Sequence, residues 1–166
     1  MFDDICGDLD IRIGMDGTWF YHGTPIGRKA LVKLFSTVLQ RDANGDYWLV
    51  TPAEKGRIEV EDAPFVAVEL IVEGAGPKQV LKLRTNVDDI VAVDSDHPLR
   101  VTHDSESGEP RPYVLVRDGL EARLNRPVFY ELVALGEERR EDGDTRMTVR
   151  SAGEMFDLGS LEADGA

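Results

Sequence analysis

The sequence predicts an α+β fold built from two repeated units, each of mainly antiparallel strands with one helix. Three observations carry this prediction. Short runs alternate apolar and polar residues and stop at Gly, Pro, Asn or Asp, which is the pattern of half-buried strands between turns. Two stretches have helical spacing, and a proline opens each, Pro25 and Pro127. The pattern around the first of these returns in degraded form around the second.

Residues 10–13 alternate as a strand, Asp16-Gly17 is a turn dipeptide, and residues 19–21 form an aromatic strand. A helix is expected from about Pro25 to Leu39, with Thr24 as N-cap, Pro25 at the first helical position and Ile26, Ala30, Leu31, Leu34, Phe35, Val38 and Leu39 on one face. Residues 42–46 are a turn. Asp42, Asn44 and Asp46 fit the first ligands of a calcium loop, but Tyr47 replaces its glycine and Ala53 its bidentate glutamate, so calcium is rejected.

Strands follow at 47–51 and 57–61, then a hairpin at 65–72 and 80–84. Gly74 and Gly76 lack the third glycine and following helix of a dinucleotide loop. Residues 85–89 turn the chain, 90–93 and 99–102 are short strands, and 104–110 form a polar loop expected to be mobile. A strand at 112–117, the Asp118-Gly119 turn, a strand at 120–124, a helix from Pro127 to about Leu135 and strands at 146–150 and 155–158 complete the chain. Residues 162–166 are expected to fray.

Aligning Asp16-Gly17 with Asp118-Gly119 places Pro25 on Pro127, Ile26 on Val128 and Leu31 on Val133 without a gap. After one short deletion, Gly45-Asp46 meets Gly143-Asp144, and Ile58 and Val60 meet Phe156 and Leu158. Both copies read strand, turn, strand, helix, turn, strand, strand. The expected division is an N-terminal unit of residues 1–64 and a C-terminal unit of 65–166. Two packed copies leave a cleft between them, a favoured place for a ligand; packing of aromatic and arginine side chains along a closed seam is the alternative.

A net charge of -13 and pI near 4.6 argue against long nucleic acids and anionic membrane surfaces, which both require a basic face. They leave room for one small phosphorylated ligand, because a few guanidinium forks prevail at close range. Cys6 has no second cysteine for a disulfide or a thiolate metal cluster. The first ten residues carry acids where a secretory signal carries bases, and a cytoplasmic location is expected. Nucleophile-elbow, P-loop and zinc-protease motifs are missing, and His103, Asp104 and Glu106 lack a second histidine at ligand spacing. No catalysis, cofactor or metal is expected.

Several segments carry a resemblance: CGDLDIRI (6–13), DGTWFYHGTPIGRKALVKLFSTVL (16–39), DYWLVTPAEK (46–55), VEDAPFVAV (60–68), RTN (84–86), HPLRV (97–101) and PYVLVRDGLEARLNRPVFYELVALG (112–136). Together they resemble the bacterial domain-of-unknown-function family 1285 along nearly the whole chain. The resemblance implies a duplicated-domain α+β fold whose C-terminal half is pleckstrin-homology-like. It also implies a nucleotide-like ligand between the halves and a role in signal transduction, with a signalling protein as partner.

Such a ligand needs flat surfaces for a base and forked donors for phosphate. Trp19, Tyr21, Tyr113 and Tyr130 are candidates for the first; Arg28, Arg84, Arg117, Arg123 and Arg126 for the second. Arg84-Thr85-Asn86 stands out because a turn after a strand can present side chains and N–H groups to an anion. The alternative for each aromatic is packing, and for each arginine an ion pair with an acid such as Asp62 or Glu131. At the level of function, the alternative is a constitutive protein-interaction module whose seam is structural.

Overall fold

The computed structural model describes residues 6–160, and these are mostly sheet with two α-helices. The N-terminal half runs through β1 (Cys6–Ile13), β2 (Trp19–Tyr21), β3 (Thr24–Pro25), α1 (Lys29–Thr37), β4 (Leu39–Arg41), β5 (Tyr47–Val50) and β6 (Lys55–Val60). Its strands form one sheet in the order β3-β2-β1-β6-β5-β4, in which β1 and β6 run parallel and the other neighbours antiparallel.

The C-terminal half contains β7 (Phe65–Glu73), β8 (Val80–Thr85), β9 (Ile90–Ala92), β10 (Leu99–His103), β11 (Pro110–Arg117), β12 (Leu120–Leu124), α2 (Arg126–Ala134), β13 (Glu137–Glu141), β14 (Asp144–Ser151) and β15 (Glu154–Ser160). A second sheet has the order β10-β11-β12-β7-β8-β9, and β13-β14-β15 form a third. Ser151 fastens the third sheet to the second. Its buried hydroxyl donates to the Val93 carbonyl at 2.6 Å and accepts the Leu81 N–H at 2.9 Å.

The first helix is shorter than its sequence predicts, and Thr24 and Pro25 do not open it. They pair with Tyr21 and Phe20 as β3, around a two-residue turn in which His22 (φ 50°) and Gly23 (φ 79°) both take the left-handed conformation. That turn matches the twist of an antiparallel hairpin, so pairing outcompetes the proline cap. The helix starts after Arg28, and Leu39 leaves it to pair with Leu49. In contrast, α2 begins as expected: the Asn125 side chain accepts the Val128 N–H at 3.0 Å, with Pro127 in the first turn.

β4 and β13 are strands that the residue pattern does not announce. β13 reads Glu-Glu-Arg-Arg-Glu without apolar alternation. It forms because Asp142 (φ 52°) and Gly143 (φ 79°) close a tight hairpin that sets Glu141 opposite Asp144. In the turn after β4, the Asp42 carboxylate accepts the N–H groups of Asn44 and Asp46 and the Trp48 indole, each at 2.9 Å. The expected fraying at 162–166 lies outside the described residues.

One hydrophobic cluster runs through both halves, from Ile13, Trp19 and Leu39 to Phe65, Leu83 and Leu124. Polar ties cross the same seam. Lys29 and Lys33 reach the Asp88 carboxylate at 3.1 and 3.4 Å, Arg117 donates to the Ser36 carbonyl at 2.6 Å, and Arg41 donates to the Gly119 carbonyl at 3.3 Å.

Candidate functional site

A cleft of about 490 Å³ opens where Met15 and Asp16, at the end of β1, meet β7, β12 and the start of α2. Its chemistry is concentrated in Asp16, Glu109, Arg123, Arg126, Phe129 and Tyr130. The first turn of α2 is held in place twice. The Asn125 side chain caps the helix, and the Asn125 N–H donates to the Ala67 carbonyl of β7 at 3.1 Å. Arg126 and Tyr130 lie four residues apart on this anchored helix and therefore share a face.

Tyr130 is 61% exposed. The Arg126 guanidinium lies 3.6 Å from the Glu109 carboxylate, with 69% and 64% of the two side chains exposed. An exposed pair of this kind is weak, so Arg126 is available to another anion.

Arg123 is bound more firmly. Its Nη1 donates at 3.0 Å to Asp62, whose side chain is 12% exposed, and the other Asp62 oxygen accepts the Tyr113 hydroxyl at 2.7 Å. Tyr113 and Arg123 are directly opposed across β11 and β12, so one carboxylate serves both. Burial, then the hydrogen bond to Asp62, pushes the Tyr113 hydroxyl above its usual pKa. At the other wall, Asp16 accepts the Thr18 N–H at 3.0 Å, and that bond holds its carboxyl below the usual range, so it is ionised.

The remaining predicted site residues lie elsewhere. Trp19 is core: its ring stacks on Phe35 at 6.0 Å and its indole N–H is buried without a partner among the described residues. Tyr21 is exposed over a separate apolar hollow beneath α1. Arg28 starts α1 through its carbonyl, which accepts the Leu31 and Val32 N–H groups. Arg84 bridges Glu69 at 2.7 Å and Asp88 at 2.9 Å. Thr85 is fully buried, and its hydroxyl accepts the N–H groups of Val87 and Asp89. Asn86 joins the halves: its Oδ1 accepts the Val66 N–H at 3.0 Å and its Nδ2 donates to the Gly17 carbonyl at 3.3 Å. Arg117 is a seam tie through Ser36.

The structure therefore brings Arg123, Arg126 and Tyr130 together and assigns the Arg84–Asn86 turn to the joint between halves. Asp16, Glu109 and Phe129 were missed as cleft residues. Asp16 reads as a turn residue and Glu109 as a loop residue, and only the meeting of the halves makes them neighbours. Among the described residues no group of three or more His, Cys, Asp or Glu could hold a metal ion, and no helix is long and apolar enough to cross a membrane.

Comparisons with known proteins agree along the chain. A family model described as "Domain of unknown function (DUF1285), N-terminal domain" matches residues 3–63, and one described as "Protein of unknown function (DUF1285), C-terminal domain" matches 64–158. The crystal structure of a DUF1285 family protein from Silicibacter pomeroyi DSS-3 is similar at 49% identity and a TM-score of 0.87, covering 96% of this chain and 85% of that one. A DUF1285 family protein from Shewanella baltica OS155 is similar at 29% identity and a TM-score of 0.60, covering 76% and 91%. No curated protein matched.

Proposed function

The chain belongs to the DUF1285 family, and from its geometry we propose that it binds a small, anionic, nucleotide-like molecule between its halves. It does so without catalysis, as a cytoplasmic signalling component that answers to a protein partner. One observation carries this reading: the anchored first turns of α2 present Arg126 and Tyr130 on one face, over a cleft that both halves line.

The roles divide by chemistry. Arg126 supplies a planar fork for a phosphate or carboxylate, in exchange for its loose pair with Glu109. The exposed Tyr130 ring supplies a stacking surface for a base. The Asp16 carboxylate accepts N–H donors from the ligand's other end. Arg123, its charge matched by Asp62, serves as a fixed polar wall and leaves the anion to Arg126.

The same proposal treats the halves as copies of one unit, since each contains a strand, a Gly-containing turn, a second strand, a helix and three further strands, the N-terminal half adding the two-residue β3 before its helix. It takes the C-terminal half, strands in two sheets with one helix, as pleckstrin-homology-like. A second reading, a constitutive interaction module, has one observation in its favour. β9 ends its sheet and leaves Ile90 57% exposed, an edge to which a partner strand can add.

A thermal-shift screen against nucleotides, cyclic nucleotides and phosphorylated metabolites tests the first reading. A ligand at about 100 times its dissociation constant adds roughly 2.7 kcal/mol of stability. A saturable shift that Arg126→Ala removes supports the cleft; no shift across the set transfers support to the interaction module.

A further inference from the structure

We propose that the outward face of α1 is a docking surface for an acidic, partly apolar protein segment. Charge is distributed unevenly along this chain. Residues 17–41 contain four Lys or Arg and no Asp or Glu, whereas the whole chain carries a net charge of -13. The helix lies inside that acid-free stretch, so no acid of its own element offsets the lysines on its exposed face.

Lys29 and Lys33, four residues apart, share one face of the helix. Both reach the Asp88 carboxylate, at 3.1 and 3.4 Å, and Arg84 reaches it as well, at 2.9 Å. Glu69 also pairs with Arg84, but the two lysines have Asp88 alone among the described residues, and their side chains are 58% and 47% exposed. One carboxylate shared by three cations leaves ammonium donors free for another acceptor. Arg28, exposed just before the helix, makes no ion pair among the described residues. Leu34, next to Lys33, is 62% exposed, more than any other large apolar side chain among the described residues, and the exposed Ala30 lies one turn before it.

The complement of this face has carboxylates about 6 Å apart, the rise of four helical residues, and an apolar side chain to cover Leu34. An acidic amphipathic helix supplies both, since Glu residues four apart repeat the lysine spacing. Screening limits the size of the partner's contact. Exposed charges act over about 8 Å at physiological ionic strength, so a short segment lying on α1 meets the lysines and escapes the acids of the remaining surface. A membrane or a long nucleic acid extends past the patch and meets those acids, which the net charge of -13 makes the majority. Neither lysine nor Leu34 lines the cleft that contains Arg126 and Tyr130, so docking here does not depend on a ligand there.

The test is an NMR titration of the full chain, following backbone amide shifts, with a synthetic helix of about 15 residues that carries Glu at every fourth position beside a stripe of Leu. The expected result is saturable binding with shifts centred on residues 28–34, weakened at least about tenfold when salt rises from about 0.05 to about 0.5 M. The same helix with Lys in place of Glu should not bind. Lys29→Glu combined with Lys33→Glu should abolish binding. Because both lysines also touch Asp88 across the seam, Leu34→Ser provides a variant that leaves those contacts in place, and it should weaken binding roughly tenfold. Equal binding of the Lys helix, unchanged affinity in Leu34→Ser, shifts centred on the β9 edge or elsewhere, tighter uptake by phosphatidylglycerol vesicles or a DNA duplex, or no binding at all would each overturn the proposal.

Discussion

The Asn86 amide is hydrogen-bonded on both sides, accepting from Val66 in the C-terminal half and donating to Gly17 in the N-terminal half. Removing it leaves the part-buried Val66 N–H without that acceptor. Asn86→Ala should therefore destabilise the protein by about 1–3 kcal/mol in urea denaturation, and an unchanged midpoint would contradict the role. Arg84, one turn away, is a lesson in what residue type alone conveys. Its fork was legible as an anion binder, but the anions it binds are Glu69 and Asp88, and which acids lie within reach is a tertiary fact. Arg123 behaves likewise with Asp62, whereas Arg126 and Tyr130, separate candidates in the sequence, become neighbours because α2 starts at Arg126, one residue before Pro127, and helical spacing then puts them on one face.

Turns decide more of this fold than helix propensity does. Gly17 sits at φ 87°, and a Cβ there would lie 2.8 Å from the Asn86 amide nitrogen and 2.9 Å from a Val66 methyl. Gly23 has a similar φ of 79° but open space around it. Gly17→Ala should therefore cost more stability than Gly23→Ala, by at least about 1 kcal/mol, in parallel thermal melts. Equal losses would mean that backbone strain alone matters at Gly17.

Turns also carry carboxylates with depressed pKa values, among them Asp42, Asp88 and Asp104. Asp42 is lowered chiefly by the Trp48 indole, Asp88 by Lys29, and Asp104 by the backbone N–H of Glu106. Because each is more acidic folded than unfolded, its contribution is complete above the unfolded value near 3.9 and is lost as pH falls through the lower folded value. Urea midpoints measured across pH should fall as pH drops below about 4, and Asp42→Asn should flatten part of that fall. Strand spacing, the proline-led start of α2 and the Asp118-Gly119 hairpin were legible in the sequence because their causes are local. β13 was not, since its charged residues pair through a hairpin turn and not through an apolar face.

At the scale of the whole molecule, the continuous hydrophobic cluster and the polar ties at Asp88, Ser36, Gly119 and Asn86 join the halves into one cooperative body. Calorimetry should show a single transition with matching calorimetric and van't Hoff enthalpies; two resolved transitions would mean that the seam is weaker than its contacts. The seam also explains why the cleft was only partly readable. An internal repeat implies that two surfaces meet, but the identity of the facing residues, Asp16 against Arg126 and Tyr130, depends on how the halves pack.

The central claim is that this cleft binds a small anion through Arg126 and Tyr130. Backbone amide shifts of the full chain, followed during titration with a panel of mononucleotides and their phosphate-free nucleosides, test it most directly. The account predicts saturable shifts clustered at Asp16, Arg126 and Tyr130 with at least one nucleotide, much weaker with its nucleoside and lost in Arg126→Ala. Shifts centred outside the cleft, or nucleoside binding as tight as nucleotide binding, would contradict it.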